Sequence, residues 1–216
     1  MQETWLMLQR GGIVMIPLLI CSIIVVAIVI ERSISLRRRK VLIPEIISVI
    51  ETIQKPEDIN LAISICQKNE GAFANIVQLG LKNKDLHKEE LKELITDQGR
   101  QEVRSLENGL VVMETIAGIA PLLGLLGTVL GMIKVFTVIS QQGIGQTQAL
   151  SGGISQALIT TVIGLSIGIP ALVVYNYFTD KAENLILDIE KFTSKLIRKL
   201  SRFNSKNNGD KSSFQE

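Results

Sequence analysis

The side chains of this sequence that could do chemistry inside a membrane are three threonines and a glutamine within long apolar stretches. Thr128 lies in one stretch, and Gln156, Thr160 and Thr161 lie in another. A hydroxyl or amide can hydrogen-bond an ion's water shell or a partner's carboxyl group, but it does not titrate near neutral pH. Small residues extend each face at helical spacing: Gly124, Gly131 and Val135 with Thr128, and Ala157, Gly164 and Gly168 with Thr161. Two such faces predict the lining of a narrow, mildly polar path.

The same residues are also typical of close helix packing. Gly127 and Gly131 form one small-xxx-small pair, and Gly164 and Gly168 form another. Such pairs let helix backbones approach closely in membranes. A threonine can also hydrogen-bond a carbonyl of its own helix. The sequence leaves both uses of the threonines open, and it predicts a packing role for Gly124 together with these four glycines.

Catalytic and metal-binding chemistry finds little support in this sequence. His87 is the only histidine and lies in a stretch rich in Lys and Glu, where a solvated helix position is expected. The sequence contains no HExxH, GxSxG, Walker A or paired-Cys motif. Cys21 is in an apolar tract and Cys66 in a charged region, so we expect no disulfide. We therefore predict a protein that is not an enzyme and has no cofactor or metal.

Three stretches are long and apolar enough to cross a membrane, which we assign to residues 11–31, 109–139 and 154–179. The tract from Gly11 to Ile30 is free of charge, and about 20 helical residues at 1.5 Å each cover a hydrocarbon core of about 30 Å. This tract runs straight into Glu31 without a small-residue cleavage site, so it predicts a retained anchor. The apolar tracts of all three spans, Gly11 to Ile30, Thr115 to Ile133 and Ile154 to Phe178, contain no His, Asp or Glu, which argues against an intramembrane protease.

The distribution of basic residues predicts the orientation of the spans. Lys and Arg cluster after the first span, in Arg37 to Lys40, and again after the third, whereas the segments on the opposite side of the membrane hold only Arg10 and Lys134. Positive flanks mark the cytoplasmic side. The prediction is a periplasmic N-terminus over residues 1–10, a periplasmic loop over 140–153, a cytoplasmic helical domain over 32–108, a cytoplasmic helical extension over 180–203 and a disordered tail over 204–216.

The predicted cytoplasmic domain shows helical periodicity. Apolar residues recur at helical spacing in two stripes: Ile43, Ile46, Ile47 and Ile50, then Leu86, Leu91, Leu94, Ile95 and Val103. Pro44, and Pro56 with the two acidic residues that follow it, suit first-turn positions, and Gly71 and Gly80 suggest breaks. The helix that begins near His87 is expected to run into the second span, because glycines alone interrupt a helix weakly.

The expected fold class is an all-α membrane protein with three transmembrane helices and long cytoplasmic helical extensions. Three helices enclose too little space for a pore, so a conduit needs several copies in a ring. Net charge is only +2 and aromatic residues make up 4% of the chain, which disfavours nucleic-acid binding. The membrane itself and further copies of the chain are the partners that these features predict.

The two polar spans carry extended motifs. The second contains APLLGLLGTVLGMI from Ala120 to Ile133, and the third contains GISQALITT from Gly153 to Thr161. Gly164-Leu165, Ile169-Pro170-Ala171 and Tyr175-Asn176 follow in the third. On these motifs the chain resembles the ExbB/TolQ/MotA proton-channel family. It is most similar to ExbB, since MotA has four spans.

This resemblance implies a stator subunit in the bacterial inner membrane that converts proton-motive force into mechanical work. It implies a homopentamer around an ExbD-like dimer of single-span chains, whose Asp would carry the proton, and a TonB-like protein that receives the work. Thr128 and Thr161 would be the pore-facing hydroxyls. Many relatives have Glu where Gln156 stands, so a carboxylate relay at this position is not expected. A TolQ-like motor, a gliding or secretion motor, a substrate transporter and a structural oligomer remain alternatives, and the coupling ion, H⁺ or Na⁺, stays open.

Overall fold

All the regular secondary structure in the residues that the computed structural model describes, which are 12–53, 55, 58–143 and 147–212, is α-helical. The helices are α1 (Met15–Ser35), α2 (Arg38–Val41), α3 (Pro44–Thr52), α4 (Asp58–Lys68), α5 (Ala72–Lys82), α6 (Lys88–Glu107), α7 (Leu110–Gln142) and α8 (Thr147–Ser212). Three of them, α1, α7 and α8, are long and apolar enough to cross a membrane. The predicted all-α fold with three transmembrane helices is therefore confirmed.

The first of two compact units contains the membrane-spanning segments, from the N-terminal side to Arg32 and from Gly109 to Phe178. Its apolar core joins α1 to α7 through Val14, Met15, Leu18, Ile116 and Ala120. Many large apolar side chains on these helices remain exposed in the single chain. A helix that is apolar on all sides is typical of a membrane span, where lipid or a neighbouring helix covers the outer faces.

The second unit comprises residues 33–108 together with the chain from Thr179 onward. Its core contains five residues of the predicted stripes, which are Ile43, Ile46, Ile50, Leu91 and Ile95, together with Phe73 and Ile76 of α5 and Leu196 and Leu200 of α8. The other four residues of the stripes, Ile47, Leu86, Leu94 and Val103, are half-buried. The Phe73 ring packs on that of Phe192, with 6.0 Å between centroids. The amphipathic helices predicted for this region therefore form, with their apolar sides inward.

The turn between the second and third spans is shorter than the predicted loop over 140–153. Helix α7 continues to Gln142 and α8 begins at Thr147, and residues 144–146 lie outside the described part. Gly153, expected in the loop, is buried within α8. A Cβ on Gly153 would lie 3.2 Å from the carbonyl oxygen of Gly131. Gly153 is therefore part of the close packing between α7 and α8.

Helix α8 runs without interruption from the third span through the predicted extension. Whereas the sequence predicts a disordered tail from Asn204, the backbone of α8 is helical to Ser212. This stretch contains no proline that would stop the helix. The predicted N-terminal segment 1–10 and residues 213–216 lie outside the described residues.

Two expectations about glycines are wrong. Helix α6 ends at Glu107 instead of running into the second span, because Gly109 adopts a left-handed conformation with φ of 78°, which costs glycine little. Gly80 lies inside α5 and does not break it. A Cβ there would lie 2.9 Å from Cδ1 of Ile95, so Gly80 serves close packing. Pro44 does begin α3, and Gly71 does precede α5, whereas Pro56 lies outside the described residues.

Candidate functional site

The candidate site lies where α7 crosses α8, and glycines bring the two backbones into contact there. A Cβ on Gly164 would lie 2.6 Å from the carbonyl oxygen of Ala120 and 2.9 Å from Cα of Gly124. A Cβ on Gly124 would in turn lie 2.9 Å from the carbonyl oxygen of Thr160. These distances are shorter than van der Waals contact. Any side chain at either position would force the helices apart.

The other glycines expected to pack also lie at this crossing. A Cβ on Gly131 would lie 2.9 Å from both Cβ of Ala157 and the carbonyl oxygen of Gly153. A Cβ on Gly127 would overlap the side chain of Thr160. Gly168 packs against the pyrrolidine ring of Pro121, because a Cβ on Gly168 would lie 2.6 Å from Cγ of that proline. The crossing therefore extends over several turns, and all five glycines belong to it.

Thr128 and Thr161 meet across this crossing. Their hydroxyl oxygens are 2.5 Å apart. Each hydroxyl also has the same two backbone acceptors: Thr161 Oγ1 lies 3.2 Å from the carbonyl oxygen of Gly124 and 3.3 Å from that of Ala157, and Thr128 Oγ1 lies 3.3 and 3.4 Å from them. Both residues are half-buried. The pair is a small polar cluster shared by two helices, with part of its surface accessible in the single chain.

Thr160 takes a different position from its neighbour. Its side chain is completely buried, and its hydroxyl donates to carbonyls of its own helix, at 2.8 Å to Ala157 and 3.2 Å to Gln156. Its methyl and hydroxyl groups fill the space that Gly127 leaves. This geometry matches the packing interpretation of a membrane threonine. Thr160 is therefore not brought together with the Thr128–Thr161 pair.

Gln156 lies one turn before Thr160 on α8 and is half-buried. Its amide approaches the backbone that leads into α1, because a Cβ on Gly12 would overlap it. Gly12 has a φ of 71°, so it combines a left-handed conformation with this close approach. The amide of Gln156 thus lies near the start of the first span, and it is separated along α8 from the Thr128–Thr161 hydroxyl pair.

Pro121 is a contact residue that lies within the motif of the second span, but the helical spacing of small and polar residues does not predict its role. It lies inside α7 and cannot donate the helical hydrogen bond to the carbonyl of Ala117. A Cβ on Gly168 would lie 3.1 Å from that same carbonyl oxygen. A proline within an apolar helix, four residues after a small residue, was the available signal. It helps to shape the surface against which α8 packs.

Ionisable groups are sparse around the crossing. Glu114 and Lys134, the charged residues of α7, are exposed and lie towards opposite parts of the helix. No cluster of His, Cys, Asp and Glu suited to a metal ion occurs in the described part of the chain. His87 is exposed at the start of α6, and Cys21 and Cys66 are free thiols. The crossing itself therefore offers hydroxyls and carbonyls to an ion or a partner group.

Comparison with known proteins agrees with the motifs. The model of the MotA/TolQ/ExbB proton channel family matches residues 68–191, which is more than half of the chain. The Biopolymer transport protein ExbB of Aquifex aeolicus is 38% identical over 40% of this chain and 59% of its own length. The Putative biopolymer transport protein ExbB-like 3 of Synechocystis is 30% identical over 79% and 82%.

A relative with a different name matches as well. The Tol-Pal system protein TolQ of Haemophilus influenzae is 36% identical over 45% of this chain and 45% of its own length. The match to the Aquifex and Haemophilus proteins thus spans less than two thirds of each, whereas the match to the Synechocystis protein spans most of both chains. From the family match and the three apolar helices, the chain is an integral membrane protein that belongs to the MotA/TolQ/ExbB proton channel family.

Proposed function

We propose that this chain is the ExbB-like stator subunit of a proton-channel motor in the bacterial inner membrane. It couples proton-motive force, through an ExbD-like partner, to mechanical work on a TonB-like protein of the cell envelope and so to transport across the outer membrane. The observation that carries the proposal is the Thr128–Thr161 hydroxyl pair at the crossing of two apolar helices, in a chain whose family is that of proton channels.

The chemistry of the crossing supports a division of labour between two proteins. Hydroxyls and amides hydrogen-bond an ion or a neutral carboxyl group, but they do not bind and release a proton near neutral pH. The helices at the crossing provide Thr128 and Thr161 without a carboxylate beside them. A partner helix that supplies an Asp completes the path. Thr160 and Gln156 contribute less, since one packs within its own helix and the other approaches Gly12.

The exposed apolar surface of the spans supports assembly. Leu122, Leu158 and Val162 are each more than 60% exposed in the single chain, and a ring of copies would cover part of such a surface while enclosing the partner. We assign a homopentamer around an ExbD-like dimer. We also assign residues 1–10 and the turn after α7 to the periplasm, and the second unit with the end of α8 to the cytoplasm, because the basic residues concentrate there.

The test is proton flux in liposomes, with and without an ExbD-like single-span protein from the same organism. The chain alone is expected to conduct poorly, and the two-protein complex is expected to conduct and to depend on the partner's Asp. A partner variant with Asn in place of that Asp is the matched control. Flux from the chain alone that equals the flux from the complex would contradict the proposal, as would full flux with the Asn variant.

A TolQ-like function is the second candidate, and the similarity to the Haemophilus TolQ protein favours it specifically. The two functions differ in the envelope protein that receives the work. Co-purification of the two-protein complex with a TonB-like protein or with a TolA-like one separates them. The complex of a gliding or secretion motor would co-purify with neither the TonB-like nor the TolA-like protein. A structural oligomer would assemble normally and show no proton flux with any partner.

A further inference from the structure

A compact group of four cations follows the first span. Arg37, Arg38, Arg39 and Lys40 are consecutive and all exposed, and the last three belong to the short helix α2. Apolar residues on both sides of the group, Leu36, Val41, Leu42 and Ile43, are buried in the second unit. The chain is thus fixed before and after the four cations. Arg37 to Lys40 therefore form a structured basic surface, which is named here the α2 patch.

Within the part of the chain that the structure describes, one cation of the α2 patch is paired with a carboxylate and three are not. Nη2 and Nε of Arg38 lie 2.8 and 3.1 Å from Oδ2 of Asp188. No carboxylate among the described residues pairs with Arg37, Arg39 or Lys40. The Arg38–Asp188 ion pair therefore ties the patch to α8, while three like charges face outward. Such a concentration of charge is costly unless an anionic surface lies nearby.

The position of the patch along the chain indicates which surface that is. Ile30 is the last residue of the uninterrupted apolar tract, and α1 continues for five residues beyond it, to Ser35. Five helical residues advance about 8 Å, and each headgroup layer is about 5–8 Å thick. The α2 patch therefore begins near the outer edge of the headgroups, within a Debye length of about 8 Å at physiological salt.

We propose that Arg37, Arg39 and Lys40 of the α2 patch bind the headgroups of anionic phospholipids. Flexible Lys and Arg side chains can extend back towards the membrane surface while their stems stay on the protein. Attraction of each such cation to an anionic leaflet corresponds to roughly a fivefold gain in association. The residues that follow the third span, Asp180, Lys181 and Glu183, carry both signs of charge. The patch is therefore the stronger of these two candidates for binding anionic lipid.

The test measures lipid selectivity of the purified full chain. Native mass spectrometry from mixed micelles with equal amounts of phosphatidylglycerol and phosphatidylcholine gives the ratio of the two bound lipids. The variant Arg37→Gln/Arg39→Gln/Lys40→Gln is expected to lower that ratio by at least about tenfold, consistent with the loss of three cations. The preference of the unaltered chain is also expected to weaken as salt is raised.

Two further variants separate lipid binding from loss of charge or fold. Lys68→Gln/Lys82→Gln/Lys92→Gln removes three exposed cations from other helices of the same unit, and its lipid ratio is expected to match that of the unaltered chain. Arg37→Lys/Arg39→Lys keeps the charge and should retain the preference. An unchanged ratio in the α2 patch variant would overturn the proposal. An equal loss in the Lys68 control, or displacement of phosphatidylglycerol by soluble glycerol 3-phosphate, would do so as well.

Discussion

Replacement of Gly164 by alanine adds one methyl group where a glycine of the α7–α8 crossing comes closest to backbone atoms of the other helix. That methyl carbon would lie 2.6 Å from the carbonyl oxygen of Ala120 and 2.9 and 3.1 Å from Cα and N of Gly124. All three neighbours are backbone atoms, so no change of rotamer can relieve the overlap. The helices themselves must move apart.

The size of the effect follows from these distances. Optimal contact between carbon atoms is about 3.5–4.0 Å, so the backbones must separate by about 0.6 Å or more at this point. An overpacked interior position typically costs 1–3 kcal/mol. The Thr128–Thr161 pair lies within one turn of Gly164 along α8, so the separation also stretches its shared hydrogen bonds. We expect Gly164→Ala to destabilise the purified protein by about 1–3 kcal/mol, and Gly164→Leu to prevent ring assembly.

Gly118 provides the matched control for this prediction. It lies in the same helix α7 as Gly124, and a Cβ there would meet nothing within 4 Å. Gly118→Ala should leave stability unchanged or slightly raised, since alanine favours a helix over glycine. Unfolding in mild detergent followed by circular dichroism measures both variants. Equal stability of Gly164→Ala and the unaltered protein would refute the assigned crossing, and so would equal destabilisation by Gly118→Ala.

Three further predictions address other parts of the chain. Thr161→Val keeps the shape of the side chain and removes a hydroxyl whose hydrogen bond is worth about 0.6–1 kcal/mol. We expect this variant to form an intact ring that loses proton-driven work, and we expect Gln156→Ala to lose less. A flux assay in which Gln156→Ala loses more than Thr161→Val would assign the polar path to Gln156 instead. Gly109→Ala, at φ of 78°, should cost about 1–2 kcal/mol, and Gly109→Asn less, as measured by thermal unfolding. Burial raises the pKa of the Cys66 thiol from 9.0 to about 11, so in a Cys21→Ser background maleimide should label it at pH 8 about a hundredfold more slowly than in denaturant. Because the folded-state pKa is the higher one, the associated stability is present below pH 9 and is lost as the pH rises towards 11.

The spans and the buried stripes could be predicted because each rests on a periodic or continuous pattern. The tract from Gly11 to Ile30 has length and apolarity that only a membrane span satisfies, and the spacing of Ile46 and Ile50 places both on one buried face. Helix ends at glycines were harder to predict from the sequence. Gly80, Gly109 and Gly153 look alike in sequence, yet only Gly109 takes a left-handed φ, whereas Gly80 and Gly153 lie inside helices and pack against Ile95 and Gly131. Neither the backbone angle nor these packing contacts can be seen in the local sequence.

The candidate site could be predicted only in part for the same reason. Helical spacing places Thr128 and Thr161 on faces with small residues, but it cannot say which of two adjacent threonines turns towards the other helix. Thr160 and Thr161 differ by a rotation of about 100° on α8. That rotation puts Thr160 against Gly127 and Thr161 against Thr128. The distinction depends on how α7 lies on α8, which is a tertiary feature.

Under the proposed function, the contact between Thr161 and the partner is weak enough to break with each proton, whereas the packing of α7 on α8 persists. A proton that crosses the membrane releases about 2.3 kcal/mol per 100 mV. This exceeds the value of a single hydroxyl hydrogen bond, about 0.6–1 kcal/mol, so a contact between Thr161 and a partner carboxyl group can form and break with each ion. Separation of α7 from α8 would disrupt glycine contacts over several turns, including those of Gly124, Gly131 and Gly164. One proton therefore suffices to shift the partner along the hydroxyls while the helices that present them stay together, as a stator requires.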